Sequence, residues 1–271
     1  PPQKTTASPH HDNGNTPLTF GTAADFELKL AQTPADLRAA QRLRYDVFVT
    51  ELGASGALVD HDQQLEKDHY DDFVDHLILS CKKSDRVVGV YRLLRAEAAE
   101  RAGGFYSEAE YDLTLLKRSG RRVLELGRSC VHPDYRGGAA MHHLWSGLAT
   151  YVAEHQIEIL FGVASFHGTD ISALAQPLSL LYHNHLAPPD LRVRARDEAH
   201  QEMNIIPAAK LDRRPAMVQV PSLIKAYLRL GGRVGDGAFI DHEFNTTDVC
   251  LIMDTAKLNE RQARIYSGAV K

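Results

Sequence analysis

Cysteine, basic excess and long apolar runs are all scarce in this chain, and each shortage removes a class of function. Cys81, Cys130 and Cys250 are odd in number, far apart and flanked by apolar residues. That argues against a disulfide framework or a zinc site and for reduced thiols packed in a core. Lys and Arg total 31 against 35 Asp and Glu, a formal net charge of -4, which argues against bulk nucleic-acid binding. No apolar run approaches the roughly 18–20 residues needed to span a bilayer. The N-terminal segment PPQKTTASPHHDNGNTP is polar and shows no signal-peptide pattern. A cytoplasmic protein is expected, with a disordered tail over residues 1–22 and a single domain over 23–271. What remains is 44% hydrophobic and 24% charged over 271 residues, ample apolar material for a core.

The most informative stretch is Val123 to Gly138, VLELGRSCVHPDYRGG. It reads as a buried strand carrying Glu125 and Arg128, broken at His132-Pro133 into a glycine-bearing turn, with an amphipathic helix over 139–155. A carboxylate in a central strand is costly to bury unless paired or used. A strand, a glycine turn and a helix N-terminus in that order make a natural anion site. The combination points to acyl transfer.

Around it, strands are expected at 26–31, 76–82, 86–94, 159–165, 191–196 and 247–254, and a short helix within 96–121. Thr33-Pro34-Ala35-Asp36 is a helix start, with a cap residue, Pro at the first position and an acid in the first turn. That helix is expected to run to Glu51 and stop at Gly53. Further helices are expected at 171–186 and 222–230. Alternating strands and helices predict an α/β fold, a central mixed twisted sheet with helices on both faces.

The order of elements resembles the GNAT acyltransferase fold, and the motifs resemble its branch that includes acyl-homoserine-lactone synthases. Arg44 and Phe48 in RLRYDVF, Asp68, Asp71, Asp72 and Asp75 in DHYDDFVDHL, Arg92 in VGVYRLL, and Glu125 and Arg128 in ELGRS carry that likeness. The Asp75-His76-Leu77 triplet, the HLAPPDLRVRA at 185–195 and the segment YLRLGGRVGDGAFIDHEFNTTDV resemble the ornithine N-acyltransferases of bacterial ornithine-lipid synthesis. This resemblance covers residues 26–266. It implies a 3-hydroxyacyl carrier protein as donor, the α-amine of L-ornithine as acceptor, a lyso-ornithine lipid as product, and no metal or redox cofactor. The pyrophosphate loop of the fold is compressed here to Tyr135-Arg136-Gly137-Gly138-Ala139-Ala140. Fewer backbone amides suit the single phosphodiester of a carrier-protein arm better than the diphosphate of coenzyme A.

Roles follow from what amide formation needs: a neutral amine, a positioned thioester and donors for the oxyanion. Glu125 is the expected general base, and burial should raise its pKa toward a useful range. Glu125 and Arg128 lie three apart, so on a regular strand they face opposite sides and can pair directly only across a bulge. His76 is the candidate proton shuttle. Asp68, Asp72 or Asp75 is expected to hold the ornithine side-chain ammonium, Arg44 or Arg92 its carboxylate, with Phe48 beside them. Ser129, Cys130, Val131, Arg136, Gly137 and Gly138 are expected to meet the carrier-protein pantetheine. Asn184 to Asp190 matches an NHxxxxD acyltransferase pattern, but two prolines in the spacer spoil its geometry. Basic pairs at 117–118, 121–122 and 213–214 are candidate contacts for an acidic carrier protein or a membrane surface. The rival readings are an acyl-homoserine-lactone synthase using S-adenosylmethionine and a membrane-active, haemolysin-like binding protein.

Overall fold

The computed structural model describes Leu18, Phe20 and residues 23–258; most of the expected tail, and residues 259–271, lie outside the described residues. Phe20, inside that expected tail, is buried in the main core.

Among the described residues there are eleven strands and seven α-helices. The strands are β1 (Phe26–Leu30), β2 (Asp75–Cys81), β3 (Arg86–Arg95), β4 (Tyr111–Asp112), β5 (Val123–Val131), β6 (Ile159–His167), β7 (Arg194–Ala195), β8 (His200–Gln201), β9 (Arg233–Val234), β10 (Ala238–Asp241) and β11 (Thr246–Asp254). The helices are α1 (Pro34–Arg44), α2 (Ala96–Ala102), α3 (Thr114–Arg118), α4 (Ala139–Glu154), α5 (Ile171–His185), α6 (Arg213–Gln219) and α7 (Ser222–Arg229). The main sheet runs β1-β2-β3-β5-β6-β11-β10-β8, with β9 on β11, while β4 and β7 pair separately. Only β5 and β6 are parallel among the paired strands of the main sheet. A parallel pair needs a crossover, and α4 supplies it.

Thr33 caps α1 as its sequence implies: its side chain accepts from the Asp36 N–H, and the Asp36 carboxylate accepts from the Thr33 N–H. Past Arg44 the same rod widens into a π-helical segment, Tyr45–Glu51, so the α-helix is shorter than the periodicity predicts. Gly53, at φ 73°, ends it. The widened turns carry Phe48 and Val49 to the cavity described below, a use typical of π-segments near functional sites. The basic strand expected at 191–196 reduces to Arg194–Ala195, because the Leu191 and Val193 N–H groups donate within local turns, to the Pro188 and Leu191 carbonyls, rather than to a ladder.

Helix α4 packs on β1, β2 and β3 and α1 on β2, β3 and β5. Leu144, Leu148 and Tyr151 of α4 join the larger core, while Ala40 and Leu43 of α1 close a smaller one with Ile78, Val90 and Cys130. No helix among the described residues is long and apolar enough to cross a membrane.

Candidate active site

The cavity forms where β5 and β6 part. Their ladder pairs Val123 with Ile159, Leu124 with Leu160 and Glu125 with Phe161, and ends there. Beyond it, Gly127, Arg128 and Ser129 on one wall and Val163, Ala164 and Ser165 on the other line a cavity of about 760 Å³.

A bulge shapes the β5 wall. Arg92 pairs with Gly127 and Val90 with Cys130, so two residues of advance on β3 match three on β5. Arg128 absorbs the extra residue at φ 48°, a left-handed conformation costing a non-glycine residue about 1–3 kcal/mol. Its result is that Glu125 and Arg128 both line the cavity. They do not pair with each other. Arg128 donates from Nε to Glu66 at 3.2 Å and from Nη2 to Asp68 at 3.3 Å, and lies 4.8 Å from the Tyr106 ring centroid. Burial opposes the Arg128 charge, yet Tyr106, Glu66 and Asp68 raise its pKa, so it is permanently cationic.

Glu125 is held by the short helical turn Tyr106–Ala109. Its carboxylate accepts from the Tyr106 N–H at 2.8 Å, the Ser107 N–H at 2.7 Å and the Ser107 hydroxyl at 2.5 Å. Burial raises its pKa, and the Ser107 and Tyr106 donors only partly offset that.

The acidic loop is not a free cluster. Arg44, fully buried, donates from Nε to Glu66 at 2.5 Å and from Nη1 to Asp71 at 2.6 Å. Arg92 donates to Asp68 at 2.6 Å and to Asp71 at 3.2 Å. Gln41 also donates to Asp71 at 2.9 Å. Burial works against both acids, but Arg92 and Arg128 hold Asp68, and Arg44 holds Asp71, below the ordinary carboxylate range. Three arginines therefore neutralise Glu66, Asp68 and Asp71.

The other expected residues scatter around this network. Arg92, Asp68 and Phe48 line the cavity; Arg44 does not. Asp72 is exposed, and Asp75 accepts from the Tyr151 hydroxyl at 2.5 Å with Arg95 at 3.7 Å. His76 is buried against the Asp71 carbonyl at 3.1 Å, and burial lowers its pKa, leaving it neutral. Ser129 lines the cavity, whereas Cys130 packs beneath α1, its thiol pushed up to about 12 by burial, and Val131 sits in the main core. Arg136 clamps Glu51 with two bonds of 2.6 Å and donates to the Val131 carbonyl at 3.0 Å. Gly137 turns the chain at φ 74°, and Gly138 caps α4 without a side-chain bond to its first amides. His185 and Asp190 of the NHxxxxD match do not line the cavity.

A second acidic group was not anticipated. Glu110, Asp241 and Asp248 each bring a carboxylate oxygen within 4.8 Å of the others, the one such grouping of potential metal ligands among the described residues, and all three line the cavity. Burial and the charges of their carboxylate neighbours push Glu110 and Asp248 upward. The signal that singled out Glu125 was present for Asp248 too: a carboxylate opening the apolar strand TTDVCLIMD.

The chain has counterparts among known proteins. A family model described as an acetyltransferase (GNAT) domain matches residues 43–146. An L-ornithine N(alpha)-acyltransferase of Rhodobacter capsulatus is 57% identical over 251 residues, 91% of this chain and 96% of the relative. One from Brucella abortus is 41% identical over 258 residues, 93% and 92% of the two chains. A solved structure of an N-acyl amino acid synthase from uncultured soil microbes aligns at a TM-score of 0.49 and 10% identity, covering 91% of this chain and 98% of its own. By the family model and the two acyltransferase relatives the protein is an acyltransferase with a GNAT-like fold, and the chain belongs to the L-ornithine N(alpha)-acyltransferase family.

Proposed function

We propose that the enzyme transfers a 3-hydroxyacyl chain from acyl carrier protein to the α-amine of L-ornithine, giving a lyso-ornithine lipid. The observation that carries this reading is the cavity itself. It joins an apolar stretch containing Leu223, Leu251 and Met253 to a polar region containing Arg92, Glu125 and Arg128, as an amphiphilic product requires. The relatives' shared name supports ornithine as acceptor.

In this reading the amine nitrogen attacks the thioester carbonyl carbon. The β5 edge beyond Leu126 has no pairing with β6, so its backbone N–H groups are available to the oxyanion. Glu125 takes the amine proton, directly or through water, and the carbon–sulfur bond then breaks to leave the carrier thiol protonated. Arg92, shared with Asp68 and Asp71, lines the cavity and is the cationic partner for the acceptor carboxylate. The thioester arm enters between β5 and β6, past Ser129 and toward the Gly137-Gly138 turn. The product carries one acyl chain, so its release favours contact with a membrane surface.

Mass spectrometry after incubating the protein with 3-hydroxyacyl carrier protein and an equimolar amino-acid mixture tests this. N-acyl-ornithine is the expected product. Acylation of another amino acid would refute the acceptor, and turnover only with acyl-coenzyme A would refute the donor.

A further inference from the structure

Of the loop acids expected to hold a cationic substrate, Asp68 already has Arg92 and Arg128, Asp75 lies 3.7 Å from Arg95, and Asp72 is exposed. Glu66, Asp68 and Asp71 are paired with Arg44, Arg92 and Arg128. Glu110, Asp241 and Asp248 form no ion pair among the described residues. Glu110 is 6% exposed and Asp248 4%. Glu110 Oε2 and Asp248 Oδ1 are buried atoms without a hydrogen-bond partner. Both residues line the cavity, so the missing donor can come from something bound there.

A buried acid without a cation must hold a proton or find a partner. Glu110 and Asp248 are both pushed toward their protonated forms, against the opposing pull of Ser165 and Thr246 on Asp248, and each unfilled acceptor adds to the cost. Such an arrangement persists where a ligand completes it. An ammonium group fits: three tetrahedral N–H donors at about 2.8 Å reach acceptors about 4.6 Å apart, and the three carboxylate oxygens lie within 4.8 Å of one another. The site is also placed relative to the chemistry. Tyr106 and Ser107, which hold Glu125, belong to the same short turn that delivers Glu110.

We propose that Glu110, Asp241 and Asp248 form the subsite for the acceptor's side-chain ammonium and thereby select ornithine over neutral amino acids. This rests on ornithine being the acceptor. Asp241 is the outer member; its Oδ1 already accepts from the Glu243 and Phe244 N–H groups at 2.8 and 3.0 Å, which fixes its orientation. Glu110 and Asp248 supply the open oxygens. The α-amine is thus left as the nitrogen presented to the thioester.

The test compares L-ornithine with L-norvaline, the same chain without the terminal amine, in wild type, Glu110→Gln and Asp248→Asn. In each variant kcat/KM for ornithine should fall about 100-fold, chiefly through KM, as for a polar site whose partner is lost. Norvaline should be acylated equally well or better, so the preference collapses. Equal losses on both acceptors would overturn the proposal in favour of a catalytic or structural role. So would an unchanged preference. Wild-type activity abolished by EDTA and restored by Mg²⁺ or Mn²⁺ would assign the carboxylates to a metal. If wild type does not acylate ornithine, the acceptor reading fails, and thermal-shift titration with butylammonium decides the subsite separately. Stabilisation of wild type but not of Asp248→Asn keeps an ammonium site, and identical responses discard it. Both amides are near-isosteric with the acids they replace, so the variants should fold.

Discussion

Arg44, with no solvent exposure, donates from Nη1 to Asp71 Oδ1 at 2.6 Å, and Arg92 reaches the same oxygen at 3.2 Å. One buried carboxylate thus ties α1 to β3 through the loop between them. Removing it leaves two guanidinium groups short of a counter-charge. Breaking a buried pair from one side costs about 3–5 kcal/mol, so Asp71→Ala should lose roughly that in urea denaturation. Asp72→Ala, one residue on and exposed, should lose less than about 0.5 kcal/mol.

Glu125→Gln separates chemistry from anchoring. The amide oxygen can keep the two Ser107 donors, which share one carboxylate oxygen, while the Tyr106 N–H on the other loses its acceptor. The fold should hold at a cost of about 1–3 kcal/mol, while kcat falls about 10²–10⁴-fold, the usual span for a general base. In wild type, kcat/KM should rise with pH through a midpoint above the ordinary glutamate value of about 4.3, because burial raises the Glu125 pKa. That limb should vanish in the variant. A variant with full activity would reduce Glu125 to an anchor for the 106–109 turn.

Glu110 makes the unliganded enzyme's stability depend on pH. Its pKa is raised by burial first, then by the charges of Asp248, Asp241 and Glu125. The native state therefore holds a proton that the unfolded chain has already released above about pH 4.3. The stability this contributes is complete at low pH and declines as pH rises toward the native pKa. Glu110→Gln should accordingly raise the thermal midpoint more at pH 8 than at pH 5. A uniform shift across that range would show that the native carboxyl is already ionised at pH 5, as in the unfolded chain, and that its pKa is not raised.

Much of the layered fold was legible because it rests on local signals. Thr33, Pro34 and Asp36 fix the start of α1, and the apolar runs around Ile78, Val90 and Leu251 mark strands buried in the sheet. The end of α1 was not legible, since a π-segment keeps apolar residues on one face while changing only the hydrogen-bond spacing. The site was half legible. The DHYDDFVDHL acids announced a charged network, but nothing in their spacing says that Arg44, Arg92 and Arg128 close on them from three separate elements. Glu110 and Asp248 are 138 residues apart and meet only because the turn that grips Glu125 also carries Glu110 to the β11 face. The bulge at Arg128 is a tertiary consequence as well. An unbulged reading places Glu125 and Arg128 on opposite faces, and the extra residue reverses that.

Gly162 sets how far β5 and β6 can separate. It follows the last paired residue, Phe161, and an added Cβ would overlap the Leu126 carbonyl oxygen and crowd its carbonyl carbon at 3.2 Å. Both obstacles are backbone, so no side-chain rotation relieves them. Gly162→Ala must push the strands apart at the mouth of the cavity, at a cost of about 1–3 kcal/mol from overpacking. Because that displacement moves the β5 edge that the proposed mechanism offers to the thioester, kcat should fall with the stability, measured by single-turnover acylation and by denaturation of the same preparation. Gly127→Ala on the facing strand is the control, since its Cβ would meet only Arg92 Nε, at an ordinary 3.9 Å. Equal behaviour of the two variants would show that the separation of β5 and β6 is not set by contact at Gly162, and the catalytic importance of that spacing would then fall with it.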